Sequence, residues 1–402
     1  MGRLCVETCK VTHPGGVREN RSRVTAVPKG MVLRGTLHFS LLAVLLMAAS
    51  TVAHAQKNPG GAKDSDIPVL TISTAKDPVD KSYRRMVLGM DLFEKNHHLA
   101  PDAALRFKLL PRRRETDMSQ VGVEIAADTF AIPVRVAEDN TFTLERIQKA
   151  LDEDASVRSN RKSLTMTWRT DIRTPGLPPD IRRLGDLRLE CAVGMEADLV
   201  SNRLGALQRI ADLFGATRNY CNRAKPRYFF FAERPVFNVI LAAGVRREPI
   251  LIDMFYAGAV DRPMTRADFA ACDCEVLLDR AFYVPLGDRS WPDDTRVEFE
   301  YMDDGRLTEI ISPAANVVAT RARQSISLGK STKSDVLAGV GKPKAVRFET
   351  GFEVWAYRFI DQAKARKLGK DDPVPETELV VLFDPSGTAT KVRVGPDVVF
   401  SD

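Results

Sequence analysis

Residues 327–394 carry their own stop signals, and these restrict the chain there to one short helix followed by strands. The polar run Ser331-Thr332-Lys333-Ser334-Asp335 leads into apolar Val336 and Leu337, the pattern of a capped helix start. Gly339 and Gly341 supply backbone freedom for the helix end, and Pro343 prevents continuation. Residues 352–359 and 378–383 are rich in β-branched and aromatic side chains. Asp384-Pro385-Ser386-Gly387 then turns the second strand into a third, over residues 389–394.

The signature residues fall in a fixed order. Gly329, Thr332 and Val336 lead into the helix, Gly341 and Pro343 end it, Trp355 and Tyr357 mark the first strand, and Phe383, Asp384 and Gly387 mark the last turn. This order resembles the SmpA/OmlA family of small lipoproteins, which includes a component of the outer-membrane β-barrel assembly machine. The resemblance covers about the last 70 residues, 325–396, and implies a small helix-plus-three-strand module that binds other envelope proteins without catalysis.

The opposite end reads as an export signal. Residues 1–30 hold several Arg and Lys and no apolar period, as an untranslated or unstructured leader does. From Met31, Arg34 gives a positive n-region, residues 37–49 an apolar core, and Ala53-His54-Ala55 an A-x-A cleavage site. The apolar run is about 13 residues, against roughly 20 for a spanning helix. Residues 31–55 are therefore expected to be a signal peptide, with periplasmic or secreted localisation after cleavage near Ala55. Without residues 1–55 the net charge falls from +6 to +1, so composition does not support nucleic-acid binding. Arg112-Arg113-Arg114 reads as solvated loop charge.

No Cys lies at the cleavage region, so the lipid site of the family's lipoproteins is missing, and membrane contact is expected only through partners. Beyond Cys5 and Cys9 of the leader, the chain holds Cys191, Cys221, Cys272 and Cys274. An even count in an exported chain favours disulfides. Cys272 with Cys274 would close a very short ring. The preferred pairing takes Cys191 and Cys221 each to the 272–274 segment, the alternative being one bridge with a spare pair. No metal or cofactor site is expected.

The chain's 44% apolar composition supports a sizeable core, expected to be divided as an α+β multidomain chain. A flexible stretch over 56–76 precedes a helix opened by Asp77 and Pro78, with Tyr83, Met86, Val87, Met90 and Phe93 on one face. From Ala104 the period becomes two, through Leu105/Phe107/Leu109, Val121/Val123/Ile125, Phe130/Ile132/Val134/Val136, Phe142/Leu144, Leu164/Met166/Trp168 and Leu187/Leu189/Cys191/Val193, with Asp139-Asn140 and Ser159-Asn160 as turns. Residues 77–199 thus predict a helix plus an antiparallel β-sandwich. Over 200–312 a middle helix-plus-antiparallel-sheet region is expected: a helix over 201–214, strands over 227–233, 236–243 and 249–256, and a hairpin from 295–301 to 307–311. Phe229-Phe230-Phe231 suggests a strand inside a covered sheet.

Catalytic signatures are scarce. After residue 55 the only histidines are His97 and His98, and no G-x-S-x-G or H-E-x-x-H occurs. Asp293-Asp294 and Asp303-Asp304 read as turn acids. Trp355 and Tyr357 share a strand face, which either packs against Val336 and Leu337 or, with Phe352, contacts a partner. The sequence therefore points to a non-enzymatic protein-binding or scaffold protein of the envelope, linked to outer-membrane assembly or envelope integrity. The alternatives are an exported hydrolase of envelope polymers working through paired carboxylates, and a protein inhibitor of a secreted enzyme.

Overall fold

In the computed structural model, which describes residues 78–113, 115–200, 220–222, 228–262, 276–368, 372 and 374–398, most of the alternating runs become strands of antiparallel sheets. These residues all belong to one unit spanning Ile72–Asp402. The leader, the signal segment with Ala53 and Ala55, the stretch 56–76, the helix expected over 201–214, and Cys272 and Cys274 lie outside the described residues. The class is mixed α+β, and no sheet among the described residues closes into a barrel.

Strand β1 (Pro78–Ser82) stands where Asp77 and Pro78 suggest a helix start. Its backbone finds a partner in β6 (Ser156–Lys162), with Ser82 opposite Ser156, and this pairing overrides the local helix signal. The proline is tolerated because β1 is an edge strand of the sheet β1-β6-β3-β4, whose other members are β3 (Val123–Ala126) and β4 (Ala131–Val134). Helix α1 (Tyr83–Lys95) begins only after Ser82, whose hydroxyl accepts the Arg85 amide at 3.3 Å.

A second sheet, in order β5-β2-β7, contains β2 (Ala104–Pro111), β5 (Thr141–Phe142) and β7 (Met166–Arg173). Both sheets contribute to one apolar cluster that includes Met86, Phe107, Ile125, Phe142, Val157 and Trp168. Tyr83 ties helix to loop there, donating to the Glu145 carbonyl at 2.6 Å and accepting the Ile147 amide at 2.7 Å before the short α2 (Gln148–Asp152). Ser159 and Asn160 lie within β6 rather than in a turn, since the Asn160 side chain accepts the Gly122 amide and ties the strand to the neighbouring loop.

The alternation Leu187/Leu189/Cys191/Val193 is not a strand. It belongs to α3 (Leu184–Glu196), which follows β8 (Ile181–Arg183) and is buried on nearly every side. A helix enclosed all round carries no single apolar stripe, so its period gives no helical signal. Close approach is built in by two glycines. A Cβ at Gly185 would sit 2.1 Å from the Leu99 carbonyl oxygen, and one at Gly194 would sit 2.3 Å from the Tyr228 hydroxyl.

The middle region forms the antiparallel sheet β11-β10-β13-β8, with β10 (Val236–Ala243), β11 (Arg246–Pro249) and β13 (Arg296–Tyr301), and a two-stranded pair of β9 (Phe230–Phe231) with β12 (Ala281–Phe282). Phe229-Phe230-Phe231 is thus a wall beside a small ribbon, not the centre of a large sheet. The strand expected over 249–256 is replaced by the 3-10 turns Ile252–Met254 and Tyr256–Gly258, because the amide of Ile252 is taken at 3.0 Å by the carboxylate of Glu378 instead of a sheet neighbour.

The hairpin expected from 295–301 to 307–311 also fails. Strand β14 (Thr308–Ile311) leaves β13 and pairs in parallel with β18 (Ala389–Val398). The C-terminal sheet has the order β14-β18-β17-β16-β15, with β15 (Lys344–Arg347), β16 (Glu353–Ile360) and β17 (Glu376–Phe383). Helices α4 (Val317–Gln324) and α5 (Lys333–Val340) lie between β14 and β15, and α6 (Gln362–Ala365) lies between β16 and β17. The capping residues of α5 are those its sequence indicates. Thr332 and Asp335 form a reciprocal capping box, and Gly341 at φ 103° ends the helix.

Each face of the C-terminal sheet is occupied. On one, Ala319, Ile326 and Val336 from the helical segment pack on Trp355, Leu379, Val381 and Phe383. On the other, Val354, Ala356, Val380 and Leu382 join the cluster that holds Phe237, Val239, Phe255 and Tyr256 of the middle region. That second face also buries charge. Arg393 meets Glu378 at 2.9 Å and donates to Asn238 Oδ1 at 3.2 Å, while Lys391 donates to Asp304 at 2.7 Å and Glu300 at 3.3 Å. Lys391 explains why β14 leaves its hairpin: the turn acid Asp304 and the Thr308 hydroxyl both bind a cation on β18.

Candidate functional site

The aromatic residues singled out from the sequence face inward. Trp355 is 7% and Tyr357 8% exposed, and Phe352 lies half-buried against the large apolar cluster. The Trp355 indole donates to Glu353 Oε1 at 2.7 Å, and Glu353 Oε2 takes Lys333 at 2.6 Å and Arg347 at 3.1 Å. Burial alone would push Glu353 up, but the hydrogen bonds from Lys333, Trp355 and Arg347 hold it below the usual carboxylate range. Tyr357 donates to the Gly341 carbonyl at 3.2 Å, so this aromatic fastens the sheet to the end of α5.

Cys191 and Cys221 are bridged, with their Cα atoms 6.0 Å apart and a sequence separation of 30. This overturns the preferred pairing of each with the 272–274 segment. The cause is that α3 places Cys191 directly beside the turn Tyr220–Asn222, which gives the geometry a disulfide needs. His97 is occupied by the Ala103 carbonyl at 2.8 Å and packs at a tilt against Phe93, with ring centres 4.6 Å apart. Asp293 receives Arg188 at 2.5 Å, so this turn acid is an ion-pair partner. Among the described residues no group of three or more His, Cys, Asp or Glu could hold a metal ion, and no helix is long and apolar enough to cross a membrane.

A cleft of about 460 Å³ gathers the chemistry that sequence reasoning missed. Strand β7 contributes Arg169, Asp171 and Arg173, β2 contributes Lys108, β8 and α3 contribute Arg182 and Glu190, and the segment Tyr228 to Glu233 forms an aromatic wall with a carboxylate at its end. Charged residues spaced by two on an otherwise buried strand were the available signal, since they share one face. What the sequence does not reveal is that Glu190 and Glu233 reach that face from distant segments.

The floor of the cleft is a buried ion pair. Glu190 accepts Arg182 through both oxygens and the Ile172 amide at 2.8 Å, and Arg182 also donates to the Ile172 carbonyl at 2.5 Å. Burial pushes the Glu190 carboxyl up to about 7 against the pull of Arg182, and nearby Asp171 adds to the rise. At the rim, Arg173 donates to Asp171 at 2.7 Å and also binds Glu233, which is shared with Lys108 at 3.5 Å. Burial would weaken the charge on Arg173, but the Asp171 and Glu233 carboxylates outweigh it and keep the guanidinium above its usual pKa. Above the floor, the Arg169 guanidinium lies 5.7 Å from the Tyr228 ring centre and 5.9 Å from that of Phe231.

Because the folded-state pKa of Glu190 is raised, its contribution to stability is complete below pH 4.5 and is lost as pH rises through about 7. Urea unfolding at pH 4.5, 6 and 7.5 should therefore show a decline of a few kcal/mol at most from this group. Glu190→Gln should flatten that decline and stay close to the parent at pH 4.5, where the Glu190 carboxyl is itself neutral in the folded chain. An unchanged pH slope in the variant would reject the assignment.

No family model, curated protein or solved structure matches the chain.

Proposed function

We propose that this is an exported, non-enzymatic protein-binding or scaffold protein of the cell envelope, linked to outer-membrane assembly or envelope integrity. The finer layout proposed with it is an N-terminal β-sandwich over 77–199, a middle helix-plus-sheet region over 200–312 and an SmpA/OmlA-like module over 325–396. One observation carries the reading. The antiparallel run β16-β17-β18 follows a capped helix and is covered by it on one face, in the order that the resemblance to that family implies. The Cys191–Cys221 bridge supports an oxidising compartment, as export to the periplasm would provide.

Partner contact, on this reading, falls on the outer side of the module. Trp355 and Tyr357 are committed to the core, and the far face of the sheet rests on the middle region, whereas Val317, Val318 and Leu337 are exposed on the helices by 59%, 40% and 48%. The partner proposed is an envelope protein of the outer-membrane assembly apparatus. Crosslinking from intact envelopes tests this with the parent and a Val317→Asp, Leu337→Asp double variant. Recovery of assembly components by the parent and loss in the variant is the expected result. No specific partner from the parent sinks the assembly reading.

The cleft favours one second reading, an exported hydrolase, because Asp171 and Glu190 line the same cavity and Glu190 titrates near neutrality. Against it, both carboxylates are engaged by guanidinium groups, Glu190 by Arg182 and Asp171 by Arg173. Hydrolysis of envelope polymers that disappears with Glu190→Gln would select this reading over the first.

A further inference from the structure

The rim of the charged cleft has an unusual arrangement of exposure. Glu233 is 42% exposed, yet it joins Arg173, 36% exposed, to Lys108, 22% exposed. A half-exposed carboxylate in such a bridge adds little net stability, because water competes for both partners. The cations beneath it are better fixed. Arg173 is held from below by Asp171, which is 9% exposed, and Arg280 donates to the Glu233 carbonyl at 2.8 Å and holds the backbone of the loop.

The floor beyond the rim is rigid and polar. Arg182 is 7% exposed, is oriented by Glu190 and the Ile172 carbonyl, and leaves its Nε without a hydrogen-bond partner among the described residues. Beside it runs the aromatic wall, where Phe229 stacks on Tyr283 at 4.7 Å and on Phe231 at 6.3 Å. A cavity of about 460 Å³ with an apolar wall and a few fixed cations suits a small organic ion.

We propose that the cleft binds a small organic carboxylate with a planar apolar body, and that Glu233 occupies the acid position as a displaceable internal competitor. The ligand's carboxylate takes the bridge between Arg173 and Lys108, and its body lies along the partly exposed Phe231. Glu233 turns outward to water, which its exposure allows. Arg173 suits this role because its planar fork presents paired N–H groups to a carboxylate. Recognition is by charge and stacking and includes no covalent step.

The experiment is calorimetric titration of the full, disulfide-intact chain with 1-naphthoate at low ionic strength, with acetate as the acid group alone. Saturable 1:1 binding of naphthoate, with acetate at least tenfold weaker, is expected. Arg173→Gln and Lys108→Gln should each weaken it by roughly tenfold. Lys108→Gln is the safer variant for folding, since Arg173→Gln leaves buried Asp171 without its cation. The decisive variant is Glu233→Gln, which should tighten binding several-fold by removing the competitor, an outcome that damage to the fold does not produce. Absence of saturable binding to the parent overturns the proposal. So does binding that is indifferent to all three substitutions, since that marks adventitious apolar adsorption.

Discussion

Replacing Arg393 by Met is expected to cost about 3–5 kcal/mol at neutral pH, the penalty for leaving a buried charge without its partner. Arg393 and Glu378 are 0% and 1% exposed and lie 2.9 Å apart. Burial pushes the Glu378 carboxyl up, and Arg393 is the largest force opposing that rise. Without the guanidinium the folded-state pKa climbs further above the unfolded value. Stability is then retained below pH 4.5 and lost as pH rises, so the gap between variant and parent should widen from pH 5 to pH 7.5. Urea midpoints at the two pH values measure it, and a constant gap below about 1 kcal/mol would exclude the buried-pair account. The double variant Arg393→Met, Glu378→Gln should recover much of the loss, because removing both charges also removes the desolvation penalty.

Removing the Cys191–Cys221 bridge is the second large effect. The bridge closes a 30-residue segment, for which the chain-entropy relation gives about 3.6 kcal/mol. Paired substitution to Ala should lower the denaturant midpoint accordingly, and a reducing agent should lower the parent to the variant's value while leaving the variant unmoved. The local consequence goes beyond stability. Cys191 follows Glu190 on α3, and Tyr228 packs against Gly194 on the same helix, so the bridge also steadies one wall of the cleft. Equal midpoints with and without reductant would show that the bridge does not constrain the unfolded chain.

Sequence legibility follows the range of the forces involved. The capping box at Thr332 and Asp335, the stop at Gly341 and the turn at Asp384 to Gly387 are local, and these were readable residue by residue. Pro78 misleads because a strand far along the chain offers its neighbours better hydrogen bonds than a helix start does. Helix α3 misleads because enclosure on every side erases the stripe that marks a surface helix. The departure of β14 from its hairpin depends on Lys391, more than eighty residues away from Asp304 and Thr308. The cleft was illegible for the same reason. Its β7 charges are local, but their meaning comes from Glu190, Arg182 and Glu233, which topology alone brings near.

The position of β18 between β14 and β17 has a consequence for synthesis. A chain growing from its N-terminus makes Asn238, the Ile250 carbonyl, Glu300 and Asp304 long before it makes the cations that satisfy them, which arrive only with Lys391 and Arg393. Until Lys391 and Arg393 are delivered, Glu300 and Asp304 lack the one cation and Asn238 lacks the other. Completion is thereby checked by charge. A product that stops short of Ala389 is expected to leave this interior unfinished, because strand β18 and both of its buried cations are missing.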